Sequence, residues 1–187
     1  MASSLLCSAE ASVLVVIDLQ IKLLAAMAEA DRAAVVKSAE TMLTAASALE
    51  VAVIYTEQHP KGLGPTVPAL MERMPAAAQG VEKTAFSCQA HEGFRAALNR
   101  TGRRQAILVG QEAHVCVLQT AMELVDAGFE VFVIEEAVCS RSTVHRQNAL
   151  QRMRGAGVII TNVESVLFEW LRDAAHSEFK TLANLIR

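Results

Sequence analysis

The sequence predicts a three-layer α/β/α fold, a doubly wound and mostly parallel sheet of about six strands between two layers of helices. Three observations carry that prediction. Short β-branched runs occur without polar alternation, as strands covered on both faces require. Amphipathic, Ala-rich stretches with helical spacing separate these runs. No internal repeat or low-complexity linker interrupts the series, so residues 1–187 read as one domain with a substantial core.

In chain order, the first strand is 12–17 (SVLVVI), and LQIKLLAAM after it has the character of a short helix. The first long crossover helix is expected over 31–50, from an acidic start at Asp31 through Ala34, Val35, Met42, Leu43, Ala46 and Leu49. A second strand follows at 51–56 (VAVIYT). Residues 57–75 are polar at first and then rich in Gly and Pro, which predicts a loop over the carboxyl edge of the sheet. Lys83 lies in GVEKTAFSC, a loop or short strand. Beyond it come a helix at 92–100, a strand at 105–109 and a helix at 116–127 stopped by Gly128. A strand at 130–134, a helix at 143–154 before Gly155, a strand at 158–161 and a helix at 175–186 complete the series. Trp170, with Leu167, Phe168 and Leu171, reads as core or interface.

Ligands of such folds bind beyond the carboxyl ends of the strands, so residues at those ends are the ones to weigh. Asp18 stands directly after the first strand, either as a functional carboxylate or as the N-cap of the helix that follows. Cys116 stands where the strand QAILVG passes through GQEAH into a helix-spaced run. On the first helical turn a thiol meets backbone N–H donors and the positive end of the helix dipole, which favour thiolate and nucleophilicity. The alternative is a small buried hydrophobe. Lys83 is within reach of the same edge, or is simply solvated. Cys139, in EEAVCSRST, also follows a strand, but no helix opens immediately there.

Composition excludes several classes. The net charge is −3 and the densest basic stretch is RTGRR at 100–104, so no basic stripe marks a nucleic-acid or anionic-membrane surface. The apolar runs, 13–17 among them, are too short to span a bilayer, and the first dozen residues lack a signal-peptide pattern, so a cytoplasmic location is expected. The four cysteines show no CxxC spacing and are expected to be free thiols. Neither GxGxxG nor GxxxxGK[ST] follows a strand, and no cofactor is expected.

Six blocks of sequence carry a family resemblance: VVIDLQ (15–20), YTEQHPKGLGPTVP (55–68), EKTAFS (82–87), VGQEAHVCVLQTAMELVDAGFEV (109–131), SRS (140–142) and HSEFKTLANLIR at the C-terminus. Through them the chain resembles the isochorismatase-like cysteine hydrolases, and within these the isochorismatase domain-containing proteins. The resemblance implies a Rossmann-like hydrolase fold with Asp18, Lys83 and Cys116 in the three catalytic positions. It implies a non-proline cis peptide at Gln111-Glu112 and an oxyanion hole formed by the backbone N–H groups of Glu112 and Cys116. Gln20, Tyr55, Gln58, His59, His114 and Thr120 are expected around the substrate pocket.

A cysteine nucleophile points to the amide-cleaving members rather than to vinyl ether cleavage, hence to a small-molecule substrate with an amide or related carbon–nitrogen bond. A binding or regulatory protein that keeps the hydrolase fold is the alternative. Ala113 replaces the Thr or Ser that many relatives carry three residues before the nucleophile. Nicotinamidase-type relatives hold a metal, but Glu57-Gln58-His59 keeps only the first part of their ligand spacing. Pro65 stands where another histidine would be expected and His91 follows too far on, so no bound metal is expected. Relatives are commonly homo-oligomers, with the 57–75 loop and the helix after Cys116 as candidate contact elements.

Overall fold

A computed structural model of the chain describes residues 5–186. Its sheet has six strands, all parallel, in the order β3-β2-β1-β4-β5-β6. They are β1 Ser12–Ile17, β2 Ala52–Gln58, β3 Gln79–Lys83, β4 Gln105–Gln111, β5 Glu130–Cys139 and β6 Ile159–Thr161. Central β1 shows why its sequence is apolar at every position but the first: Leu14 and Val16 face one core, while Val13, Val15 and Ile17 face the other.

Right-handed crossovers decide which helices cover which face. On the Leu14 side lie α2 (Glu29–Ala48), the short α4 (Pro68–Met71) and α8 (Val163–Leu171), through Met42, Leu70 and Leu167 among others. On the Val13 side lie α5 (Glu92–Thr101), α6 (Leu118–Asp126) and α7 (Thr143–Gly155), through Phe94, Leu124 and Met153. Trp170 is core, with its indole N–H donating to Ser12 Oγ at 3.1 Å. No helix among the described residues is long and apolar enough to cross a membrane.

Several expected boundaries change. The predicted 57–75 loop contains two single-turn helices, α3 (Pro60–Leu63) and α4, each opened by a proline at its first position. Lys83 is the last residue of the edge strand β3. The segment LQIKLLAAM forms α1 (Ile21–Ala25), capped at Gln20, so Asp18 is not its N-cap. The helix expected to open at Cys116 begins three residues earlier, as a π-helical turn over Ala113–Val117 that runs into α6. The C-terminal helix shrinks to α9 (Phe179–Ala183) and a 3-10 turn over Asn184–Ile186. Gly155 is inside α7 rather than beyond it.

Gly110 is required where it stands. Its φ is +133°, and a β-carbon there would lie 2.1 Å from the Ile17 carbonyl oxygen, so only glycine lets β4 approach β1 this closely. The β4–β5 register shifts at the same place, between Leu108 and Gly110. That irregularity ends β4 beside the last residue of β1 and brings the following turn over Asp18.

Candidate functional site

The chain leaves β1 toward β2 on one side and β4 toward β5 on the other, so their carboxyl ends border the crevice where the winding reverses. Asp18 occupies it from β1. Its backbone, at φ +52°, donates to Thr56 O at 3.1 Å, while its carbonyl accepts from Gln111 Nε2 at 2.9 Å and from Gln20 N at 2.8 Å. Those bonds hold a conformation that non-glycine residues rarely adopt.

The Asp18 carboxylate is fully buried. Lys83 Nζ donates to Oδ2 at 2.6 Å, Thr56 Oγ1 donates to Oδ1 at 2.6 Å, and the Cys116 thiol lies within reach of its charge. Both ends of the Asp18–Lys83 ion pair have no exposed side-chain surface. The ammonium is held by three further acceptors, Gln58 Oε1 at 2.9 Å, Phe86 O at 3.2 Å and Ala85 O at 3.3 Å. The acid, the ammonium and the sulfur thus converge although they lie far apart in sequence. Cys116 is buried, with 6% of its surface exposed.

The electrostatics correct one expectation. Burial is the largest influence on the Cys116 thiol and pushes its pKa well up; the Asp18 charge pushes it further, and Lys83 opposes both. At rest the sulfur therefore carries its proton. The helical turn's dipole does not prevail because burial, with the Asp18 charge behind it, outweighs it. For Lys83, burial acts to lower the pKa, but the Asp18 charge, followed by the Cys88 and Cys116 sulfurs, outweighs it, and the net pKa is raised. The ammonium stays charged.

The Gln111-Glu112 peptide is cis, as the resemblance implied. Glu112 precedes the π-helical turn, and its carboxylate accepts from Arg141 N at 2.9 Å and from Arg141 Nε at 3.1 Å.

The expected pocket residues divide. Gln20 is fully buried and braces the loop after β2, donating to Gln58 O at 3.0 Å and Gly64 O at 2.6 Å while accepting from Gln58 N at 2.7 Å. Gln58 orients Lys83 with its oxygen and donates to Thr84 O at 2.6 Å. Thr120 is buried one turn beyond Cys116 and accepts from Cys88 N at 2.9 Å, so it holds the loop after β3. His114 Nδ1 lies 3.0 Å from Ser140 Oγ and its ring sits 4.8 Å from that of His145, on the α7 side. Burial lowers the His114 pKa, Glu112 opposes, and His145 with Arg141 lowers it further.

One further expectation is displaced and one lies at the margin of the site. Tyr55 alternates with Thr56 on β2, so its ring turns to the Leu14-side core and covers Gly80, away from the thiol. His59, at φ +39°, packs its ring over Gly62 and lines a cleft of about 350 Å³ with Lys61, Lys83, Thr84 and His91, so it stays on the Lys83 side of the site. Glu57 is spent on Thr66, accepting from its N at 2.6 Å and its Oγ1 at 2.8 Å. Among the described residues no group of three or more His, Cys, Asp or Glu side chains is arranged to hold a metal ion.

Cys139 belongs to the opposite core from Cys116, with its thiol donating to Gln111 Oε1 at 3.6 Å, and burial foremost raises its pKa to about 12. It braces the Gln111 side chain. Sequence reasoning missed two groups beside Asp18. Thr56 follows from strand register, since Ile17 pairs with Thr56 and the next residue is Asp18. Cys88 donates to Thr56 Oγ1 at 3.8 Å and is held neutral by burial, its pKa raised to about 11.

Comparison with known proteins agrees with this architecture. Residues 12–165 match the Isochorismatase domain family, and the chain belongs to that family. Isochorismatase domain-containing protein 2 of Xenopus laevis is 42% identical over 155 residues, 81% of this chain and 73% of the relative. Among solved structures, one described as the MAR1 ribonuclease from Caenorhabditis elegans superposes with a TM-score of 0.90 at 36% identity, covering 96% of this chain and 91% of that one. YcaC from Pseudomonas aeruginosa, described as bound to hexane-2,5-diol and covalent acrylamide, superposes with a TM-score of 0.86 at 25% identity, covering 100% of this chain and 98% of that one.

Proposed function

We propose that this protein is a cysteine hydrolase of small amides or related carbon–nitrogen compounds, with Cys116 as nucleophile, Asp18 as proton shuttle and Lys83 as its electrostatic partner. The observation that carries the reading is one buried carboxylate paired with an ammonium at 2.6 Å and near enough to a thiol to raise its pKa. A protonated thiol next to a carboxylate suits attack coupled to proton transfer.

As the Cys116 sulfur bonds to the carbonyl carbon, its proton passes to Asp18 and the carbonyl π electrons move to oxygen. The backbone N–H groups of Glu112 and Cys116 stabilise that oxyanion, an interaction strongest in the transition state. Asp18 returns the proton to the leaving nitrogen, the carbon–nitrogen bond breaks and a thioester remains. Water then attacks the thioester while Asp18 takes its proton. Collapse breaks the carbon–sulfur bond, and the proton on Asp18 returns to sulfur. Lys83 keeps the carboxylate ionised at the start and steadies negative charge moving between oxygen and sulfur.

The YcaC relative described with covalent acrylamide supports a reactive nucleophile in this family, because acrylamide adds to nucleophiles and to thiols above all. The protein is proposed to work as a homo-oligomer; Ile21 and Met71 expose 45% and 40% of their surface beside the loop after β2.

The test is a turnover panel of small amides, carbamoyl compounds and isochorismate, with a short RNA included, run with wild type and Cys116→Ala. Turnover of an amide or carbamoyl compound that Cys116→Ala abolishes, at unchanged unfolding midpoint, supports the reading. Retained turnover by Cys116→Ala refutes it, and no turnover across the panel favours a binding or regulatory protein on the same fold.

A further inference from the structure

Three consecutive residues at the end of β5 each grip the segment that carries the proposed oxyanion donors. The Cys139 thiol donates to Gln111 Oε1 at 3.6 Å, Ser140 Oγ meets His114 Nδ1 at 3.0 Å, and Arg141 donates its backbone N–H and its Nε to the Glu112 carboxylate at 2.9 and 3.1 Å. Gln111 in turn donates to the Asp18 carbonyl at 2.9 Å. The strap therefore spans the turn from β4 and ties it to the Asp18 backbone.

Arg141 supplies the charged grip in this strap. Nε reaches both carboxylate oxygens, at 3.1 Å each, while the backbone N–H takes one of them. Glu112's side chain is only 9% exposed, whereas that of Arg141 is 63% exposed and lies on the surface above it. This single Nε–H, forked between the two carboxylate oxygens, is a charge-assisted bond that with the backbone N–H fixes the orientation of the Glu112 side chain. The residue it orients is the one whose backbone N–H faces the reacting carbonyl in the proposed mechanism.

We infer that Arg141 is a positioning residue: through Glu112 it holds the oxyanion-hole amide in its productive direction. This rests on the proposed function of the site. An interaction that serves only the oxyanion acts in the transition state, so its loss lowers kcat and leaves KM in place.

The experiment uses the full chain and the best substrate of the turnover panel, comparing wild type, Arg141→Met and Arg141→Lys. Arg141→Met keeps the backbone N–H bond and removes the fork. The expected result is a kcat lowered about tenfold or more, less than the roughly 100- to 1000-fold loss when a whole oxyanion donor is removed. KM stays within about twofold, the unfolding midpoint is unchanged, and Arg141→Lys is intermediate because it restores charge without the fork. Wild-type kcat in Arg141→Met overturns the inference alone. So does a raised KM at unchanged kcat, which makes Arg141 a substrate-binding group, or a lowered unfolding midpoint, which makes it structural. A wild type that turns over nothing overturns the reading of the site and this inference with it.

Discussion

Removing the Lys83 ammonium tests the electrostatic core of the site most severely. Lys83→Met preserves chain length and apolar volume but deletes the 2.6 Å bond to Asp18 and the bonds to Gln58 Oε1, Phe86 O and Ala85 O. Asp18 is then a carboxylate with no exposed surface, left with the Thr56 hydroxyl as its donor. Two unit charges about 4 Å apart interact by about 4 kcal/mol at an effective dielectric near 20, and breaking a buried pair from one side costs about 3 to 5 kcal/mol. Lys83→Met is therefore expected to lose about 3 to 5 kcal/mol of stability, while Asp18→Asn/Lys83→Met loses clearly less than the sum of the two single variants. Trp170, the one tryptophan and a core residue, reports unfolding in urea by fluorescence. The raised Lys83 pKa adds a sign. Its contribution is complete below the ordinary lysine range and is lost as pH rises through the folded value, so wild type has an alkaline limb of declining stability that Lys83→Met lacks. A loss under about 1 kcal/mol, the scale of an exposed pair, or additivity in the double variant refutes the reasoning.

Two other outcomes follow. Iodoacetamide is expected to modify Cys116 more slowly at neutral pH than an exposed cysteine, with a rate that climbs into strongly alkaline pH, because burial and Asp18 hold the thiol protonated. Asp18→Asn removes the second of those causes and leaves Lys83, so alkylation at neutral pH rises by about tenfold or more while turnover is lost; peptide mapping of the label and the turnover assay check both halves. Gly110→Ala places a β-carbon 2.1 Å from the Ile17 carbonyl oxygen at φ +133°, and its expected cost is at least about 3 kcal/mol by urea unfolding, where a neutral result contradicts the close approach of β4 and β1.

Much of this architecture is legible in the sequence because buried parallel strands are apolar on both faces, and β1 and β4 are read directly from SVLVVI and QAILVG. β3 is short and half exposed at the sheet edge, so QGVEK offers no apolar run to find. α8 has a readable start, since Asn162 Oδ1 accepts from Ser165 N at 2.8 Å, but VESVLFEWL is so apolar that it reads as core before it reads as a helix. In the site, Asp18 and Cys116 are marked by strand ends and Lys83 by family resemblance. Thr56 and Cys88 carry no such mark, because their nearness to Asp18 arises from parallel register and from the fold of the loop after β3. Tyr55 shows the converse: a residue adjacent in sequence to Thr56 faces the other core, as strand alternation demands. The thiol's protonation is hidden for a different reason: the resemblance implies the carboxylate beside it, but the burial that weighs most is set by packing and not by the helix start a sequence reveals.

The claim at the centre is that the Cys116 sulfur becomes acylated by substrate. Wild-type protein quenched in acid during turnover of its best amide substrate is expected to show by intact mass a single acyl addition, mapped by peptide sequencing to Cys116, absent from Cys116→Ala and accumulating more slowly in Asp18→Asn. Turnover with no such adduct in Cys116→Ala at the wild-type rate, or an acyl group found on Cys139 or Cys88 instead, contradicts it.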